Sequence, residues 1–192
     1  MNYILLGIIG LLLIVILMCI IGIGMWQVSY LEETSRYMKT DLNYTDYYIN
    51  LEKYMGEWLQ MAAKPAFFQS GCNKSYAKYK LEYEGDTPIV KVENSCFKNG
   101  KLSVSNGTAR VKSGRTLSVK FSPFMNIFNK PNYEIYYIDK GYNVAVVGSP
   151  NKDYLWILSR QVIPKEQILE LLEVANGFGF DTSDIKFDIW EK

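Results

Sequence analysis

Histidine is absent from all 192 residues, which removes the usual general base and the commonest metal ligand of proteins. Cysteine is nearly as scarce. Three residues with no Cys-x-x-Cys spacing cannot assemble a zinc site. Charge is balanced, with 21 Lys and Arg against 20 Asp and Glu, so the net charge of +1 gives nucleic acid no electrostatic footprint. No internal repeat or low-complexity tract occurs. These absences argue against a metalloprotein, a nucleic-acid binder and a histidine-dependent enzyme, and they call for no cofactor. What the chain has in quantity is aromatic residues, 15% of the total and led by 15 Tyr, a composition that suits strands or a ligand-lining surface.

Charge is also missing from the N-terminus, where the first charged side chain is Glu32. From Ile4 to Trp26 every residue is apolar, aromatic, Gly or the single Cys19. As a helix this run spans roughly 34 Å, about the hydrocarbon core of a bilayer. A cleaved signal peptide has an apolar region of about 7–15 residues behind a basic stretch. This run is longer and has no Lys or Arg before it, although Gly22 and Gly24 leave cleavage after Gly24 as an alternative. Lipidation at Cys19 does not fit, because Met18 precedes it and more apolar sequence follows. Residues 1–26 therefore read as a transmembrane helix or uncleaved signal anchor, 27–49 as a stalk without sustained apolar period, and 50–192 as a folded domain. Sequons stand at Asn43, Asn73 and Asn106, to be glycosylated only in a translocated eukaryotic chain.

From residue 56 to 160 short β-rich runs alternate with turn signals, over 56–63, 74–84, 87–96, 101–112, 115–121, 132–139, 142–149 and 153–160. In "YAKYKLEYE", Ala77, Tyr79, Leu81 and Tyr83 share one face while Lys78, Lys80 and Glu82 share the other. A turn centred on Gly85 and Asp86 pairs Tyr79 with Val92 and Leu81 with Val90, which puts both apolar sets on one side. Cys72 and Cys96 bracket this hairpin and are expected to form a disulfide in an oxidising compartment. The same register leaves them about three residues out of step, so the bridge requires the strand to bend near Gly71. A bridge also puts the body on the non-cytosolic side of the membrane. After the strands, "PKEQILELLEVANGFG" carries Ile168, Leu171, Leu172 and Ala175 at i, i+3, i+4 and i+7, with Pro164 at the start and Gly177 at the stop.

Eight strands in sequence followed by one amphipathic helix predict an all-β fold. It is an eight-stranded antiparallel up-and-down barrel with a C-terminal α-helix packed outside, preceded by the transmembrane helix. In such a barrel strand 1 begins at the pole where strand 8 ends and strands 6 and 7 are joined. Trp58, Arg160 and the turn Asp139–Tyr142 should therefore cluster there, with the indole under the guanidinium. Gly56 then lets the incoming chain cross beneath the barrel.

Gly56-x-Trp58, the Asp139–Tyr142 segment and Arg160, in this order, resemble the three conserved regions of the lipocalins. The stretches "NLEKYMGEW" and "YNVAVVGSPNKDYLWILSR", and the Pro-led helix followed by "GFDTSDI", resemble the branch of the bacterial outer-membrane lipocalins and apolipoprotein D. The bacterial members of that branch carry a lipidated Cys after their signal, whereas this chain has an apolar run long enough to span a membrane. The resemblance implies a carrier of a small hydrophobic ligand, such as a fatty acid or lysophospholipid. Strand parity selects Ala62, Tyr79, Leu81, Val92, Tyr136, Trp156 and Leu158 as lining residues. Phe67, Phe68, Phe124, Met125, Ile127 and Phe128 lie on the long loops of the mouth. A few lipocalins are enzymes, but this chain lacks His and its body cysteines are expected to be bridged, so it reads as a non-enzyme. A second reading makes it a surface interaction protein whose barrel is filled by side chains.

Overall fold

In the computed structural model, which describes residues 16–25, 49–124 and 126–190, the chain divides into two units, Met1–Tyr44 and Thr45–Lys192. Within the first, residues 16–25 form a helix (α1) with exposed side chains. Among the described residues no helix is long and apolar enough to cross a membrane. Most of the expected span over 1–26, all but the last residue of the stalk over 27–49, with its sequon at Asn43, and Met125 lie outside the described residues.

In the second unit, alternation of apolar and polar side chains sets the strands. They are β1 (Gly56–Ala63), β2 (Cys72–Glu84), β3 (Thr87–Lys98), β4 (Lys101–Ser113), β5 (Thr116–Lys120), β6 (Tyr133–Ile138), β7 (Val144–Gly148) and β8 (Leu155–Ser159). Each pairs antiparallel with the next, and β8 and β2 both pair with β1, closing an eight-stranded barrel. The predicted hairpin register is observed: Tyr79 faces Val92 and Leu81 faces Val90. A ninth strand, β9 (Lys186–Phe187), adds to β1 on the edge away from β8. The eight expected runs all appear, displaced by two residues or fewer at either end.

Two helices attend the barrel. The four-residue α2 (Leu51–Tyr54) was not foreseen; Asn50 caps it by accepting from the Lys53 N–H at 2.9 Å. The last helix, α3 (Lys165–Gly177), buries Ile168, Leu171, Leu172, Val174 and Ala175 and packs on β7 and β8. Pro164 precedes it rather than opening it.

Cys72 and Cys96 are disulfide-bonded, with Cα atoms 5.4 Å apart. The bend that lets them meet falls a little past Gly71. Cys72 faces Lys98 and Asn73 faces Phe97, and then the register shifts before Tyr76 meets Ser95. Lys74, at φ +49°, sits inside that bulge. One extra residue on one strand of a pair kinks it locally, and here it cuts the three-residue misfit to two.

Candidate functional site

The closed pole is built around Trp58, which has no exposed surface. Its indole N–H donates to the Tyr54 carbonyl at 2.9 Å, so α2 supplies the partner that a buried Trp needs. The Arg160 guanidinium lies 3.7 Å from the indole centroid. Its nitrogens donate to the carbonyls of Glu57 at 2.6 Å, Met55 at 2.7 Å, Lys53 at 2.9 Å and Tyr142 at 3.2 Å. One planar cation thus ties α2, the start of β1 and the β6–β7 turn to the end of β8. Burial pulls the guanidinium below its ordinary basicity, and the neighbouring Tyr54 and Tyr79 oppose that shift.

Gly56 has φ +95°, and a Cβ there would stand 3.3 Å from Arg160 Nη1. The left-handed backbone lets the chain turn from α2 into β1 directly against the guanidinium. The β6–β7 turn is held by Asp139, whose carboxylate accepts from the N–H groups of Asn143 at 2.6 Å, Val144 at 2.8 Å and Gly141 at 3.1 Å. Tyr142 accepts from the Asn50 N–H at 3.0 Å. Gly56, Trp58, Asp139, Tyr142 and Arg160 are therefore brought together at one pole.

Above this floor lies an apolar cluster that includes Trp58, Val90, Val92, Ala109, Leu117, Ile135, Ile138, Ala145, Val147 and Leu158, with Tyr79, Leu81, Val119, Phe121, Tyr133 and Trp156 packed against it and only partly buried. Of the seven residues chosen by parity, Tyr79, Leu81, Val92, Trp156 and Leu158 belong to it. Ala62 and Tyr136 do not. The β1–β8 register shifts between Gln60 and Ala62, so that Ala63 rather than Ala62 faces Trp156, and Ala62 pairs with Phe187 of β9. A second shift, between Ile135 and Tyr137, turns Tyr136 toward the segment after α3. There its ring meets Phe178 at 5.4 Å and Phe180 at 4.9 Å, with Lys152 Nζ 3.6 Å above its face. A bulge reverses the in–out alternation beyond it, so strand parity carried past either shift names the wrong face.

Two polar arrays escaped the sequence reading. At the floor, the hydroxyl of Tyr133 lies 2.6 Å from that of Tyr54 and 3.4 Å from that of Tyr79. Burial pushes all three phenols above their ordinary range, keeping them neutral. Toward the mouth, Trp156 Nε1 donates to Gln69 Oε1 at 3.0 Å, Gln69 Nε2 to Gln60 Oε1 at 3.0 Å, and Gln60 Nε2 to Asp188 at 3.1 Å. Asp188 also accepts from the Ser75 N–H at 2.7 Å, while Trp190 Nε1 donates to the Gln60 carbonyl at 2.9 Å. The C-terminal segment therefore bridges β1 and β2 where their direct pairing stops at Leu59. Nothing in the sequence around Gln60, Asp188 and Trp190 signals contacts across more than 100 residues.

The open pole carries the loops 64–71, 99–100, 121–132 and 149–154, and Phe67, Phe68, Phe124, Ile127 and Phe128 are exposed on the first and third. Among the described residues, no group of three or more His, Cys, Asp or Glu is placed to hold a metal ion.

The chain matches the family model for the lipocalin-like domain over residues 49–189. It is 35% identical over 147 residues to temperature-induced lipocalin-1 of Arabidopsis thaliana, covering 71% of this chain and 77% of the relative. To outer membrane lipoprotein Blc of Escherichia coli K12 it is 33% identical over 140 residues, covering 72% and 76%. Among solved structures, the cockroach allergen Per a 4 superposes with a TM-score of 0.55 at 19% identity, over 73% of this chain and 88% of that one, a likeness of fold. The closed barrel, its Trp–Arg floor and these matches lead to one assignment: the chain belongs to the lipocalin family, on the branch that holds Blc.

Proposed function

We propose that this lipocalin binds, and passes between membranes, a single-chain amphiphile such as a fatty acid or lysophospholipid, while residues 4–26 tether it to a bilayer. The observation that carries this reading is the graded interior. Tyr54 and Trp58 at the floor are buried, whereas Val119, Phe121 and Trp156, toward the open ends of β5 and β8, remain partly exposed. A sealed base under an apolar throat suits a hydrocarbon tail. The inward residues named above carry no charge, so an anionic headgroup finds its counter-ions among lysines at the open pole, such as Lys98, Lys101 and Lys130, rather than at the neutral tyrosine floor.

The Cys72–Cys96 disulfide supports an oxidising, non-cytosolic location for the body. It also removes both thiols as nucleophiles, in keeping with a binding protein rather than an enzyme. Attachment by the apolar run at 4–26, a stalk over 27–49 and a barrel over 50–192 complete the proposed organisation.

Tryptophan fluorescence titrated with lysophospholipid and with fatty acid tests the reading. Trp156 is the expected reporter, so the saturable change should vanish in Trp156→Phe while the fold persists. No saturable change at micromolar ligand overturns the proposal. The crowding of Tyr54, Trp58, Tyr79, Phe121, Tyr133 and Trp156 in the interior favours a second reading, a filled barrel that acts through its surface. Mass spectrometry separates the two by whether an amphiphile co-purifies with the chain.

A further inference from the structure

We infer that the open end of the barrel docks on an anionic lipid bilayer through a ring of protruding aromatic side chains and lysines. The inference concerns the rim and does not depend on what the interior holds. Two separate loops push large apolar groups into water: Phe67 is 83% exposed, Phe124 86% and Phe128 84%, with Phe68 and Ile127 beside them. The first loop is built outward by contacts among its own rings. Phe67 meets Phe68 edge-on at 5.3 Å, and Phe68 leans on Tyr154 of the β7–β8 turn at 5.3 Å. Apolar surface gathered at one pole marks an interaction site.

Three of the four connections at this pole carry charge of one sign. Segments 64–74, 97–102 and 120–132 contain Lys64, Lys74, Lys98, Lys101, Lys120 and Lys130 and no acidic residue. In the fourth connection, 149–154, Lys152 stands beside Asp153, which is bonded to Asn151. Lys64 is engaged with Asp184 at 3.2 Å and Lys152 with the Tyr136 ring, and the cationic work falls to Lys98, Lys101, Lys120 and Lys130. Lys98 and Lys101 face each other across the β3–β4 turn. The other pole differs: its turns bring Glu84, Asp86 and Asp139 among the bases, and Glu84 pairs with Arg110.

Protruding apolar groups within a lysine ring match a surface that is negative outside and hydrocarbon beneath. An anionic bilayer has both properties, and interfacial binding draws on both. Each lysine near such a surface favours the docked state by about fivefold.

The test uses the full chain with Cys19→Ser, labelled with the dye NBD at Ile127→Cys, in phosphatidylcholine vesicles with and without phosphatidylserine. A second protein carries the label at Asp86→Cys on the far pole. Because the position of the label is read rather than attachment of the whole chain, an N-terminal tether supplies no signal. With phosphatidylserine present, the label at 127 should shift to the blue and be quenched by lipid-borne doxyl groups, while the label at 86 should not. Lys98→Gln with Lys101→Gln should lower the docked-to-undocked ratio about 25-fold, and added salt should act in the same direction. Unchanged circular dichroism confirms that each variant is folded. A label at 127 that stays in water, equal quenching at both poles, or equal docking without phosphatidylserine overturns the inference.

Discussion

Arg160 distributes its guanidinium over four backbone carbonyls, those of Lys53, Met55, Glu57 and Tyr142, while covering the Trp58 ring. A lysine ammonium keeps the charge but has neither the fork nor the flat face. Arg160→Lys should therefore lose about 1–3 kcal/mol, the scale of buried acceptors left unserved. Urea unfolding reads this as a lower midpoint at unchanged slope. Trp58→Ala should cost about 3–5 kcal/mol, and the double variant should cost less than the sum, because each residue acts on the other. An additive pair would show that the stacked geometry contributes nothing. Gly56→Ala tests the same corner from the backbone side. At φ +95° with Arg160 Nη1 3.3 Å from the new Cβ, the alanine should cost about 1–3 kcal/mol.

At the scale of elements, the disulfide and the C-terminal strand both repair places where β2 loses register. The bridge closes a separation of 24 residues, so Cys72→Ser with Cys96→Ser should destabilise the barrel by about 3 kcal/mol on the loop-entropy account. A much smaller loss in urea would mean that the hairpin alone already confines that segment in the unfolded chain. Asp188 offers a pH test. Burial raises its pKa above the ordinary aspartate value, outweighing the Ser75 and Gln60 hydrogen bonds that act to lower it. A carboxyl with a raised native pKa holds its proton more tightly folded than unfolded. Its favourable contribution is thus full below the unfolded value and is lost as pH rises through the native one. Carboxyl-resolved NMR should find Asp188 titrating above an unstructured aspartate, and a midpoint at or below that reference contradicts the buried geometry. What the sequence discloses divides along the same line. The β2–β3 register was legible because Tyr79, Leu81, Val90 and Val92 alternate without interruption. The shifts after Gln60 and Ile135 were not, since "LQMAA" and "YEIYYI" are apolar on both sides and either phase of alternation reads equally well. Nor was α2, whose four residues are too few for a helical period.

For the whole molecule, the central issue is whether the space above the tyrosine floor is occupied by protein or by ligand. Val92 stands mid-strand on the inward face, opposite Tyr79 on one side and Gly107 on the other. Enlarging it separates the readings. If the throat is hollow, Val92→Trp fills free volume: stability of the ligand-free protein changes little, and the amphiphile is displaced by the new indole. If side chains already fill the barrel, the same substitution overpacks a core and should cost about 1–3 kcal/mol or more. Thermal unfolding with and without lysophospholipid reads both quantities together. The unaltered protein at a hundredfold excess over its dissociation constant should gain about 2.7 kcal/mol, and Val92→Trp should lose that gain while keeping its ligand-free midpoint. A ligand-free midpoint that collapses in Val92→Trp, with no ligand-induced gain in the parent, assigns the interior to packing. The apolar mouth would then be the part of the molecule that meets lipid.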